Sequence, residues 1–261
     1  AVLNGGDFRL STAFNSSVNQ LTESGKRIYK IVREQLANRR IDQAAILRHL
    51  PTGHFTLRSG RDNLFSNLLA QEGYAFSQAD INLTSSPTRG LDGKISIDSL
   101  VYNDIHLDSI RADLTSIDGQ LNYLLSVKNN PSNTYPYHGY LQGALYEHGL
   151  QTHATILDKD GKTGFDLAMQ AAMKRRGIEL SITSPKSVLG YKSFAVNDSN
   201  YIYIGRDRRL SANLRLEAAD GTGMLVSTED NDSTSLQNVT LSMNHFELGS
   251  LFEVLPFAPK L

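Results

Sequence analysis

The chain has 261 residues, a net charge of −1 and neither cysteine nor tryptophan, and this length suits one large β unit or two ordinary domains with a real core. The near-neutral charge supplies no basic field for nucleic acid, and the missing cysteines exclude disulfides, thiolate catalysis and cysteine-ligated metals. No apolar run approaches the roughly 20 residues that a membrane-spanning helix needs.

In chain order, residues 1–73 read as a mixed strand and helix segment. The opening "AVLNGGDF" lacks the charged and apolar regions of a signal peptide, and both ends read as cuts from a longer protein. Phe8, Leu10 and Phe14 alternate as in a short strand. A helix is expected over about 22–38, where Ile28, Ile31, Val32, Gln35 and Leu36 fall at helical spacing. Asp42 is placed to cap a helix over 42–50 that carries Ala45, Ile46, Leu47 and Leu50 and stops at Pro51. "HFTLRS" reads as a strand. Asp62 can cap a third helix, over 62–72, that closes on Gly73.

From Tyr74 onward the chain is a succession of alternating segments, so residues 74–261 read as one long antiparallel β meander. The fold class is mainly β with a few helices in the N-terminal quarter, α+β overall. Turn signals at Asp118-Gly119, Asn129-Asn130-Pro131, His148-Gly149, Asp160-Gly161, Arg176-Gly177 and Asp220-Gly221 suit short hairpins. The clearest alternation is "GFDLAMQAAMKRRGIELSIT", residues 164–183. Phe165, Leu167, Met169, Ala171 and Met173 fall on one side, and Ile178, Leu180 and Ile182 resume it after the turn. Leu141, Leu145, Leu150, Ala154, Ile156, Leu210, Leu214, Leu216, Val239, Leu241 and Met243 extend the set of candidate apolar-face residues. In "YIYI", residues 201–204, both sides are apolar and the inward face is ambiguous. Alternation alone leaves open what such a face covers: a second sheet, a helix, or something that is not protein.

The chemical motifs are sparse. His138, His148 and His153 fall on neighbouring expected strands, but no carboxylate-histidine pattern accompanies them and a metal site is not expected. "DKDGKTG" has its glycine too early for a calcium loop and reads as a hairpin turn. Two basic turns, "MKRRG" and "GRDRR", place Arg175, Arg176, Arg208 and Arg209 at strand ends, where they can meet lipid phosphates if both turns share a rim. With no nucleophile elbow, phosphate loop or dinucleotide fingerprint, neither an enzyme nor a cofactor is expected.

The phrase "LDGKISIDSLVYNDIHLDSIRADL", followed by "GQLNYLLSVKNNP", resembles the AsmA-like superfamily of bacterial envelope proteins. "VLGYKSFAVNDSNYIYIGRDRRLSANLRLEAADGTGMLVS" and "LQNVTLSMNHFELGSLFEVLPFAPKL" look like TamB-like proteins of the Bacteroidota type, and "RIDQAAILRHLP" and "GRDNLFSNLLAQEGY" also fit that group. The resemblance implies an internal periplasmic segment of a protein anchored in the inner membrane by a region outside this chain. It also implies a β-sheet curled into a half-pipe, a β-taco, with an apolar inside. The family is implicated in phospholipid transport to the outer membrane and in outer-membrane protein assembly. The implied partners are phospholipid acyl chains and an insertase-family barrel met through regions outside this segment, with no nucleic acid and no membrane span here. From another class, the same strands suit a sealed structural module that pairs its strand edge with outer-membrane protein strands.

Overall fold

A computed structural model describes residues 1–38, 42–103, 105–129, 136–229 and 238–245. The protein is mainly β, its strands pair antiparallel, and its three helices among the described residues all precede Gly73. The chain divides into two compact units. The first takes in Ala1–Glu34 and Asp42–Glu147; the second takes in Gln35–Ile41 and His148–Leu261.

The first unit contains strands β1 (Val2–Gly5), β2 (Phe8–Phe14), β3 (Gly53–Ser59), β4 (Tyr74–Ala75), β5 (Gln78–Ser86), β6 (Gly90–Tyr102), β7 (Ile105–Ile117), β8 (Gln120–Asn129) and β9 (Tyr137–Tyr146). They pair in the order β1-β2-β3-β5-β6-β7-β8-β9, with the short β4 beside β6. The helices are excursions from this meander: α1 (Val18–Ala37) and α2 (Gln43–Leu47) separate the neighbours β2 and β3, and α3 (Leu64–Gln71) follows β3. The mixed N-terminal stretch and the start of the strand run therefore share one sheet.

Local chemistry sets the helix ends. The Asp42 side chain accepts from the Ala45 amide at 2.9 Å and starts α2. Helix α3 is capped by Asn63 rather than Asp62. Asn63 Oδ1 accepts from the Ser66 amide, and Ser66 Oγ accepts from the Asn63 amide, a reciprocal capping box. Asp62 instead donates its amide to the Asp7 carboxylate (3.0 Å), which also accepts from Asn63 Nδ2 (2.6 Å) and ties the helix start to the β1–β2 turn. On α1 the half-buried positions are Leu21, Ser24, Ile28, Ile31 and Gln35, spaced three and four apart. Val32 and Leu36, expected on that stripe, lie one residue, or about 100°, beyond it and are exposed.

The second unit contains β10 (Gly149–Asp158), β11 (Thr163–Lys174), β12 (Gly177–Ile182), β13 (Lys186–Leu189), β14 (Lys192–Val196), β15 (Tyr201–Gly205), β16 (Leu210–Glu217), β17 (Gly223–Glu229) and β18 (Asn238–Asn244). Its sheet is not a plain meander. Between β11 and β16 two short strand pairs stand end to end: β12 with β15 over one half, and β13 with β14 over the other. Asparagines close the seam between them. Asn200 Oδ1 accepts from the Ile182 amide (2.6 Å), and its Nδ2 donates to the Ile182 and Asn197 carbonyls (2.9 and 3.1 Å). Asn197 Oδ1 accepts from the Arg215 amide at 2.8 Å. These side chains stand in for the ladder partners that the interrupted strands lack.

The turns fall at or within one residue of their sequence signals: Glu147-His148 and Arg175-Arg176 form the loops expected at His148-Gly149 and Arg176-Gly177, and each glycine opens the next strand. Asp118 and Gly119 both have positive φ (50° and 77°), as a primed hairpin turn requires. Gly177 does not. A Cβ there would lie 2.3 Å from the Ile204 carbonyl oxygen, so glycine permits the close approach of β12 to β15. Of the turn at Asn129-Asn130-Pro131, only Asn129 lies within the described residues; its Oδ1 accepts from the Tyr137 amide.

Candidate functional site

Residues opposite one another in an antiparallel register point to the same side, and sides alternate along each strand. In the second unit the pairs Ile156↔Phe165, Ala154↔Leu167 and Leu150↔Ala171 join β10 to β11. Met169↔Ile182, Ala171↔Leu180 and Met173↔Ile178 continue onto β12. Ile178↔Ile204, Leu180↔Ile202, Ile202↔Ala212 and Ile204↔Leu210 carry the face across β15 to β16. Leu214↔Val226, Leu216↔Met224, Val226↔Leu241 and Met224↔Met243 take it through β17 to β18. All the candidate residues that fall in this unit, from Leu150 to Met243, thus share one face. "YIYI" is resolved as well: Ile202 and Ile204 join the apolar face, and Tyr201 and Tyr203 take the other, where the Tyr201 hydroxyl bonds Ser211 Oγ.

Among the described residues this face carries one charge, Lys192, at its border, where the ammonium reaches Asp220 (2.8 Å) and Thr222 Oγ1 (2.9 Å). Its burial is uneven. Phe194 and Leu216 are each 2% exposed and form a cluster with Leu214 and Ala218, with Ile182, Leu189, Val196, Ile202, Met224 and Val226 packed around it. Leu214 and Leu216 are therefore core in this structure. Elsewhere the face is open: Met169 is 38%, Leu180 37% and Leu241 64% exposed, and Val239 and Met243 are exposed beside Leu241. On one side Met169 and Leu180 each have a small cross-strand neighbour, Thr152 beside Met169 and Ala171 beside Leu180. Phe194, Val196, Leu189, Met224 and Val226 were not anticipated. Strands β13 and β14, four and five residues long, are too short to display a period.

The opposite face of this unit is polar, with Asp166, Gln170, Glu179, Ser181, Asn213 and Arg215. His153 Nε2 lies 3.0 Å from Asp166 Oδ2, and Thr155 Oγ1 donates to that same oxygen. At one rim the two basic turns are neighbours: the Arg206 amide donates to the Arg176 carbonyl at 2.8 Å, beside the Gly177↔Gly205 pair. Arg175, Arg176, Arg208 and Arg209 are exposed there, and so is Arg206, which was not singled out from sequence.

The first unit obeys the same rule. Leu10, Leu57, Ile81, Ile95, Ala112, Leu125 and Leu141 follow one another across β2, β3, β5, β6, β7, β8 and β9, and Leu145 lies opposite Leu121 on that side. The helical segments lie against part of this face. Phe65 of α3 meets Phe8 at 5.4 Å between ring centroids, and Ser85 Oγ donates to the Pro51 carbonyl. Leu57, Ala79 and Ala112 are buried, whereas Leu141 is exposed.

The reverse of this sheet carries cross-strand ion pairs, Arg58–Asp80 (2.7 Å) and Lys94–Asp113 (3.0 Å). Burial alone would raise the Asp80 pKa, but the hydrogen bonds from Arg58 and Gln78 bring it below the usual carboxylate value. A hollow of about 500 Å³ opens there, lined by Arg9, Thr56, Arg58, Asp80, Asn82 and Lys94. His138 bonds Ser126 Oγ and the Tyr140 hydroxyl, and its burial lowers its pKa. Among the described residues no three His, Asp or Glu side chains converge as metal ligands.

Comparison with known proteins finds no family model, no curated protein and no solved structure that matches the chain.

Proposed function

We propose that the protein is a lipid-handling segment of a TamB/AsmA-like envelope protein, which holds phospholipid acyl chains in an apolar trough during transport across the periplasm. The observation that carries this reading is the apolar face of the second unit, which stays exposed at Met169, Leu180, Leu241 and Met243 and, among the described residues, carries no charge but Lys192. Sequestering a chain of roughly fifteen methylenes, at about 0.8 kcal/mol each, recovers on the order of 10 kcal/mol that a lipid in water forgoes. Hydrophobic contact is non-directional, so a lipid can slide along such a face without large barriers. Met169 and Met243 add a flexible, polarizable lining. A half-pipe around the chain is the geometry this role calls for, and it involves no chemical step and no cofactor.

The test is lipid extraction from the purified whole chain, followed by mass spectrometry. Bound phospholipid is expected, and it should be lost from M169E and L180E while their melting stays cooperative. Lipid-free protein would contradict the reading. One observation favours a second reading, the sealed module that assists outer-membrane protein assembly through a strand edge: the buried cluster around Phe194 and Leu216. If that core extended over the whole face, M169E and L180E would bury an unpaired charge and unfold the protein.

A further inference from the structure

Resting on that lipid-handling reading, we infer that the arginine rim of the second unit makes it selective for lipids whose phosphate headgroup carries net negative charge. The rim is built by the fold. Strands β12 and β15 pair up to Gly177↔Gly205, Gly177 lacks the Cβ that would strike the Ile204 carbonyl, and the Arg206 amide is bonded to the Arg176 carbonyl. Two turns distant in sequence thereby bring Arg175, Arg176, Arg206, Arg208 and Arg209 together.

Nearby acids do not neutralise them. Asp207 Oδ1 accepts from the Arg209 amide (3.1 Å) within its own turn, and the Glu179 carboxylate is held by Lys174 at 2.9 Å. Glu229, at the end of β17, and Glu147, next to the His148 carbonyl that accepts from the Met173 amide, are further carboxylates toward this rim. Among the described residues none of the five guanidinium groups has an ion-pair partner. Guanidinium forks suit phosphate oxygens, which they bind in pairs.

The rim also stands where a headgroup belongs. The apolar face ends against it at Met173, Ile178, Ile204 and Leu210. From Leu210 to Leu216, β16 runs about 20 Å at a strand's rise of ~3.3 Å per residue. One leaflet of acyl chain is about 15 Å deep, half the hydrocarbon core. A lipid whose phosphate lies at the arginines therefore has its tail on the apolar strip. The opposite end of these strands mixes signs, with Asp158, Asp160 and Asp220 among Lys159, Lys162 and Lys192, so it offers no rival anion site.

The experiment measures binding of short-chain phosphatidylglycerol and phosphatidylcholine to the whole chain, at low and high salt, with inorganic phosphate as competitor. Phosphatidylglycerol is expected to bind about tenfold or more tightly at low salt, and salt should erode that advantage. The variant R175E/R176E/R208E/R209E should level the two lipids, and the salt series on the unmodified chain gives a second readout that needs no variant. Equal affinity for the two lipids overturns the rim inference but leaves the apolar-face reading standing. Binding of neither lipid removes both. Tight binding of inorganic phosphate alone, indifferent to any acyl chain, would make the rim a free-phosphate site and overturn its assignment to lipid.

Discussion

Asn200 shows how much of the second unit depends on single polar side chains. Its amide satisfies both the N–H and the C=O of Ile182 where β12 ends and no strand continues. Replacing it with alanine leaves two half-buried backbone groups without partners, so N200A should cost about 1–3 kcal/mol in chemical denaturation. Nothing in "VNDSNY" distinguishes this role from that of an ordinary loop asparagine, because it depends on where two distant strands stop. Asp220 acts at the border of the apolar face. The Lys192 ammonium, then the Thr222 amide and hydroxyl, hold its carboxyl well below the usual carboxylate range. A depressed folded-state pKa means that this contribution is complete above the unfolded value and is lost as pH falls through the folded one. The melting temperature should therefore fall as pH drops below about 4, and D220N should lower it at pH 7 and flatten that acid limb. A D220N melting profile identical to the parent's at every pH would show that the contact contributes nothing.

Among the elements, β11 and β12 were the most legible. Eight apolar residues at period 2 mark the face in the sequence, and the register sets Met169 opposite Ile182. The β13–β14 hairpin was illegible. It is too short for a period, yet it supplies Phe194, the best-buried large side chain of the cluster. Alternation tells which side a residue faces, but not whether that side is sealed there. Leu216 and Leu180 look alike in sequence, but one is core and the other exposed. The same substitution should separate them. L216A should cost about 2–5 kcal/mol, as core truncations do, whereas L180A should change stability by well under half as much. Equal losses in urea titrations would mean that the face is closed at both positions. The three helices were legible from their spacing and caps. The Asn63 cap was missed because Asp62 carries the same signal one residue earlier, and only Asp7, more than fifty residues away in sequence, draws Asp62 off.

For the molecule as a whole, periodicity marked the mainly β class and the early helices, because helical and strand periods differ along the chain. It gave no sign of the division between Glu147 and His148, since alternating strands run on both sides of it without a change in character. Each unit has the same design, an antiparallel sheet with one apolar and one polar face. In the proposed function the apolar face works as a surface for lipid tails. The most direct measurement is photocrosslinking with a phospholipid that carries a diazirine on its acyl chain, followed by peptide mapping of the adducts. Labelling is expected at Met169, Leu180, Leu241 and Met243, with Gln170, Glu179 and Ser242 on the polar face left unlabelled. Adducts spread equally over both faces, or confined to the polar one, would contradict it.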